Sequence, residues 1–209
     1  EHMGRRIEDE LTLAGIPVSG PNRVSLATYP EGRFAILLMR VFQSGFARDV
    51  VTEWLCTAPV TYPGVSLRVP FTKWDTVSRM ASITKGPEVW RDRLEIFARR
   101  CCRKLEALNQ SKGDSDSSRL RPKILMDLEL SRSLASFIEQ IAVNPPPTGT
   151  AQWVTYSMWL IDMVDRYMAK SVDEPALLRR QQLDDLIRSL SELDGLGTYE
   201  PDLERFTSV

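Results

Sequence analysis

Two adjacent cysteines lie inside a basic stretch, ARRCCRKL, which covers residues 98–105. Thiolates are nucleophiles and also bind zinc, and both roles depend on the groups around them. Structural zinc needs about four ligands, and neighbouring residues of a helix point about 100° apart. No CxxC pair and no histidine near the stretch completes such a set. The stretch therefore predicts no metal site, and a functional thiol at Cys102 stays an alternative without a partner base.

Histidine is nearly absent from the chain. The single one, His2, lies in the triplet Glu-His-Met of residues 1–3, which is typical of a cloning remnant. The remaining sequence then has no Ser-His-Asp or Cys-His arrangement, and most common hydrolytic and thiol-protease mechanisms are excluded. Carboxylate, lysine or cysteine chemistry stays open. We therefore expect no catalytic, cofactor-binding or metal-binding residues and no cofactor.

Basic side chains define a candidate binding surface in the middle of the chain. Residues 85–123 carry 11 basic and 6 acidic side chains (net +5), whereas residues 124–209 carry 7 and 14 (net −7). Such clusters can neutralise phosphates or attract an acidic protein. Glutamates three or four positions from several arginines also fit a solvated face with local salt bridges, so all three interpretations stay open. The surface comprises Arg93, Arg99, Arg100, Arg103, Lys104, Arg119, Arg121 and Lys123.

The spacing of apolar residues assigns different environments to the two adjacent cysteines. A helix from Pro87 to about Asn109 carries an apolar stripe with spacings of three and four residues. The stripe consists of Trp90, Leu94, Phe97, Cys101, Leu105 and Leu108. It includes Cys101 and omits Cys102. We therefore predict that Cys101 is buried and packed, and that Cys102 is the more accessible of the two.

A later segment, QWVTYSMWLIDMVDRYM, concentrates aromatic residues and methionines. A helix that is apolar over so much of its circumference is typically a central core helix, which is the favoured interpretation. The alternative is a face that anchors a partner, because tryptophan, tyrosine and methionine are enriched at interface cores. The candidate partner-anchor aromatics are Trp153, Tyr156, Trp159 and Tyr167.

Helical periodicity and start signals recur along nearly the whole chain. Thr28 with Glu31, and Thr72 with Asp75, stand at the spacing of capping contacts before two predicted helices. A β-hairpin over residues 23–42 is the rival to the first of these helices, since the apolar run there also fits two short strands.

The middle of the chain contains the polar stretch NQSKGDSDSS. We expect a mobile surface loop at residues 110–119 and a helix opened by Pro122. Residues 4–209 are predicted to form a single helical domain, and the alternative is two halves, 4–110 and 120–209, joined by this loop.

These signals predict a mostly α-helical bundle of six to eight helices, with a short β-hairpin or edge strand in the first 70 residues as the alternative. No apolar run approaches the roughly 18 residues of a membrane span, so we expect no membrane contact. Three cysteines, two of them adjacent, do not form a disulfide framework, and this favours a reducing cytoplasmic or nuclear location.

The function expected from these observations is that of a non-catalytic helical scaffold subunit that binds a protein partner within a larger intracellular assembly. A helical nucleic-acid-binding protein that uses residues 85–123 is the first alternative. An enzyme with no histidine in its mechanism is the second. The sequence does not define the oligomeric state.

Overall fold

The structure, a computed structural model, describes residues 26–63, 69–110, 115–197 and 200–208, with the backbone alone at residues 26, 115–119 and 196. These ranges contain eight α-helices and two short 3-10 helices, Leu26–Thr28 and Ser191–Leu196. The α-helices are α1 (Pro30–Gln43), α2 (Arg48–Thr57), α3 (Phe71–Met80), α4 (Pro87–Gln110), α5 (Ser115–Ala142), α6 (Trp153–Tyr167), α7 (Glu174–Leu190) and α8 (Leu203–Thr207). The predicted mostly α-helical fold is confirmed.

The alternative of a β-hairpin near the start of the chain is wrong for the described residues. Pro30–Gln43 is one continuous helix. Proline suits a first helical turn, where its missing N–H is not needed, and leucine and methionine, both good helix formers, follow it. Val60 and Met168 form an isolated antiparallel bridge.

The predicted capping contacts at the starts of α1 and α3 are wrong. α1 begins without a side-chain cap, and the Glu31 carboxylate accepts hydrogen bonds from the Arg179 guanidinium of α7 at 3.1 and 3.3 Å. α3 also begins without a side-chain cap, and Asp75 pairs with Arg48 of α2 at 2.8 Å. A guanidinium is a charged, forked donor and binds a carboxylate more strongly than a neutral N–H does. Each acid therefore joins two helices instead of capping one.

Helix α5 begins earlier than the sequence predicts. Its first residue is Ser115, and Pro122 lies inside the helix. The backbone of residues 115–119 is therefore helical and not part of a loop, whereas residues 111–114 lie outside the described residues. Serine and aspartate, which suggested a loop here, are also the residues preferred at helix N-termini.

Phe137 of α5 lies at the centre of an aromatic cluster. Its side chain is fully buried, and four other rings surround it at centroid distances of 5.0 to 6.1 Å. These rings belong to Trp54 of α2, Tyr62 of the α2–α3 connection, Trp74 of α3 and Tyr167 of α6. Tilted and edge-on aromatic pairs add roughly 0.5–1.5 kcal/mol each beyond the area they bury. The cluster therefore holds α5 against three helices at once.

Helices α4 and α5 are antiparallel and share the most extensive helix–helix interface of the described chain. The Ser131 hydroxyl of α5 donates a hydrogen bond of 2.9 Å to the Leu94 carbonyl of α4. Further along, Asp127 of α5 interacts electrostatically with Cys101 of α4. Residue numbers thus fall along α5 as they rise along α4, and the start of α5 lies beside the end of α4. Buried hydrophobic residues from all eight helices form one contiguous core.

Replacing Phe137 with alanine should lower the free energy of unfolding by about 3–5 kcal/mol, since it leaves a cavity that four rings cannot fill. Phe137→Leu should cost less because it removes less volume. Leu125→Ala on the same helix is the control, since Leu125 is 47% exposed and its loss should change stability by less than about 0.5 kcal/mol. Urea denaturation followed by circular dichroism measures all three. Equal effects of Phe137→Ala and Leu125→Ala would contradict the central role of this ring.

The buried tyrosines should make the fold sensitive to alkali. Burial raises the pKa values of Tyr62, Tyr156 and Tyr167 above the ordinary value of about 10. The unfolded chain therefore loses these protons first, so the contribution of the three tyrosines to the free energy of unfolding should be constant below about pH 10 and fall above it until the folded tyrosines also ionise. Urea midpoints between pH 8 and 11.5 test this. In the Tyr167→Phe variant, whose new side chain cannot ionise, the free energy of unfolding should fall less steeply with pH. An unchanged slope would mean that Tyr167 does not contribute to the alkaline loss of stability.

Candidate functional site

A groove with a volume of about 900 Å³ runs between α4 and α5. We call it the α4–α5 groove. Its floor consists of Leu94, Ala98 and Cys102 of α4 and Ser131 and Ala135 of α5, and its rims consist of Arg91, Glu95, Arg99 and Arg103 of α4 and Arg132, Ser136 and Glu139 of α5. No aromatic side chain lines it.

Small side chains create the groove. Ala98 and Cys102 follow Leu94 at intervals of four residues, so the three lie in one row along α4, and Ser131 and Ala135 form the matching row on α5. Leu94 and Ser131 are buried. None of these side chains protrudes far from its helix, whereas the rim residues are mostly long and exposed. The result is a shallow channel with charged walls.

The electrostatics of the groove favour an anionic ligand. The rims carry four arginines and two glutamates, which gives a formal net charge of +2. Arg99 pairs with Glu95 on the same helix, and both side chains are more than half exposed. Exposed ion pairs of this kind contribute about 0–1 kcal/mol, so a ligand carboxylate can compete for Arg99. Within the described part of the chain, Arg103 and Arg132 make no ion pair.

The structure divides the predicted basic surface between two sides of α4. Arg99 and Arg103 lie at the groove. At 100° per residue, Arg93, Arg100 and Lys104 lie on another side of α4. The latter assignment agrees with the electrostatic contact of Arg100 and Lys104 with the buried Cys101 thiol, which does not line the groove. Only part of the predicted surface on α4 therefore lines the groove.

The remaining members of the predicted surface lie on α5. Arg121 and Lys123 are exposed near its start, beside the last turns of α4, and the side chain of Arg119 lies outside the described residues. Sequence reasoning missed two rim arginines. Arg91 precedes Arg99 by eight residues and so falls on the same side of a helix, a signal that was available in the sequence. Arg132 belongs to another helix, and only the packing of α5 on α4 brings it to the groove.

The two adjacent cysteines occupy the predicted environments. Cys101 is buried at 5% exposure, and burial raises the pKa of its thiol, with a smaller contribution from Asp127. Cys102 is partly exposed in the groove floor. The predicted difference in accessibility is confirmed. The third cysteine, Cys56 on α2, is exposed.

The four candidate anchor aromatics pack within the chain itself. Trp153, Tyr156 and Tyr167 are buried, and Trp159 is partly buried against the core. The polar side-chain atoms of Tyr156, Trp159 and Tyr167 donate to backbone carbonyls; for example, the Tyr167 hydroxyl donates to the Gln140 carbonyl at 3.0 Å. Trp153, Tyr156 and Tyr167 therefore belong to the core of the described chain, as the core interpretation of α6 expects.

No group of three His, Cys, Asp or Glu side chains in the described ranges is arranged to hold a metal ion. No helix among the residues that the structure describes is both long and apolar enough to cross a membrane. Comparisons of this chain with protein-family models, with curated proteins and with solved structures found no match.

Thiol labelling of the native protein should distinguish the two adjacent cysteines. In a Cys56→Ser background, iodoacetamide at pH 8 should modify Cys102 at least about tenfold faster than Cys101, since Cys101 is buried and its pKa is raised, and only the accessible thiolate reacts. Peptide mass spectrometry of a time course measures both rates. In urea the two rates should converge. Faster labelling of Cys101 in the native protein would mean that α4 is rotated relative to the structure.

Proposed function

We propose that this chain is a non-catalytic helical interaction subunit that binds an acidic segment of a partner protein in the α4–α5 groove. The observation that carries the proposal is the combination of a long channel, a floor of small side chains and four rim arginines. Arginine binds carboxylates through two parallel N–H donors and is more weakly hydrated than lysine, so it suits a protein interface. The floor gives apolar side chains of the partner a place to be buried.

The charges would act mainly on encounter and specificity. Long-range attraction between a basic rim and an acidic segment raises the association rate and disfavours basic partners, whereas exposed ion pairs add little affinity by themselves. The binding energy would come chiefly from apolar contacts over Ala98, Cys102 and Ala135 at the centre of the groove. We therefore expect affinity that falls moderately, and not steeply, as salt is added.

Nucleic-acid binding is the second candidate function. The exposed Arg93, Arg100 and Lys104 lie away from the groove and support it, since clustered bases can follow a phosphate backbone. The lining of the groove favours the protein partner instead, since no aromatic ring there can stack on a base.

Charge reversal on the two sides of α4 tests the proposal. Arg99→Glu with Arg103→Glu changes the groove, and Arg93→Glu with Arg100→Glu makes the same change in net charge outside it. Tagged wild type and both variants are used to capture proteins from a cell extract, with quantitative mass spectrometry of what is retained. A partner held by the wild type and the control variant should be lost, by at least about tenfold, from the groove variant, because reversal replaces attraction by repulsion.

The same variants decide between the two candidate functions. Wild type is titrated with mixed-sequence RNA and DNA at low salt, and the proposal expects no saturable binding. Clear binding that is weakened in either variant, with a salt dependence that becomes shallower by about one unit for each lost phosphate contact, would establish nucleic acid as the ligand. Partners lost equally from both variants would show that net charge, and not the groove, controls capture. Circular dichroism confirms that each variant is folded.

A further inference from the structure

We propose that the occupant of the α4–α5 groove is an acidic amphipathic α-helix, which packs along α4 and α5 as the third member of a helical layer. This inference rests on the proposed function and adds the conformation and the side-chain pattern of the partner segment. It follows from the shape of the groove, from the backbone of its walls and from the spacing of its charges.

The shape of the groove fits a helix lying along the pair. Its α4 wall runs from Arg91 to Arg103, which at 1.5 Å per residue is roughly 18 Å, or about three helical turns. Along this length the floor residues Ala98, Cys102 and Ala135 are small. Small residues between two helices leave a depression into which the side chains of a third helix insert, as ridges fit grooves in helix packing.

The backbone of the walls argues against an extended peptide. Both walls are α-helices whose N–H and C=O groups bond within the helix, so the groove has no strand edge to which an extended chain could add. An extended peptide pressed on Ala98 and Ala135 would leave its own backbone polar groups without partners on that side, which costs free energy. A helix satisfies its backbone internally and presents only side chains.

The charges predict where the partner's acids lie. Arg91, Arg99 and Arg103 occupy one row of α4 at intervals of eight and four residues, and Glu95 fills the gap in that row. A partner helix therefore places Asp or Glu opposite the three arginines and a neutral or basic residue opposite Glu95. Leucine, methionine or alanine at spacings of three and four residues on its other side would cover the floor.

Three synthetic peptides of about 16 residues, roughly 24 Å as helices, provide the test. The first carries leucine and alanine on one face and glutamate on both flanks of that face. The second has the same charges but two central prolines that prevent a helix, and the third has lysine for glutamate. Each peptide bears a bromoacetyl group, whose bromide is displaced when the Cys102 thiolate forms a thioether. The protein carries Cys56→Ser, and the buried Cys101 is the internal control.

Each alkylation rate of Cys102 is divided by the rate at which iodoacetamide modifies Cys102 in the same protein, which corrects for differences in thiol reactivity. The corrected rate should be at least about tenfold higher for the acidic helical peptide than for either other peptide, since binding raises the local concentration of the electrophile. The advantage should disappear in the Arg99→Glu, Arg103→Glu variant and persist in the Arg93→Glu, Arg100→Glu variant. Circular dichroism of the first peptide should also show more helix when it is mixed with the protein.

Other outcomes separate this inference from the proposed function. Equal alkylation by both acidic peptides would overturn the helical occupant and leave an acidic partner in place. No advantage for any peptide, while the groove variant still loses a captured protein, would also overturn the helix alone. Failure of both experiments would overturn both proposals. Sedimentation of the protein alone should show a monomer at micromolar concentration, and self-association abolished by Arg99→Glu with Arg103→Glu would make a second copy the occupant and overturn the inference.

Discussion

The enclosure of Phe137 by four aromatic rings is the constraint on which the rest of the structure depends. The cluster fixes how α5 is rotated about its own axis, because only the face that carries Phe137 can point into the cluster. At 100° per residue, Ala135 and Glu139 lie about 200° around the helix from Phe137. The groove is therefore formed by the side of α5 opposite the cluster, and a change that loosened the ring would also move the groove rim. Core packing and the candidate binding surface are two faces of one helix.

Helix phase also decides which charges can act together. A run of basic residues in the sequence looks like one patch, yet successive residues on α4 point in different directions, so Arg99 and Arg103 line the groove with Arg132 of α5, and the adjacent Arg100 does not. The same geometry separates the two adjacent cysteines into a buried thiol and a groove thiol. Local sequence density of charge is thus a poor guide to local surface potential on a helix.

The sequence predicts well what one helix determines alone. The apolar stripe of α4 gave its bounds to within a residue and placed both adjacent cysteines correctly, because 3.6-residue periodicity requires no tertiary information. It failed where a distant residue competes with a local contact: Glu31 and Asp75 bind arginines of other helices instead of capping their own. The groove was not predictable for the same reason, since Ala135 and Arg132 reach it only through the packing of α5 on α4.

The contact between Glu31 and Arg179 joins residues 148 positions apart, and Arg179 also lies over the Tyr29 ring. At the other end of α1, the Gln43 side chain donates to the Thr207 hydroxyl of α8 at 2.9 Å. During synthesis, α1 therefore waits for α7 and α8 to leave the ribosome before its apolar face is fully covered, whereas α4 and α5 can pair as soon as both have emerged. The two helices that carry the groove are thus joined by contacts that are short in sequence, whereas α1 is completed only by residues synthesised 148 to 164 positions later.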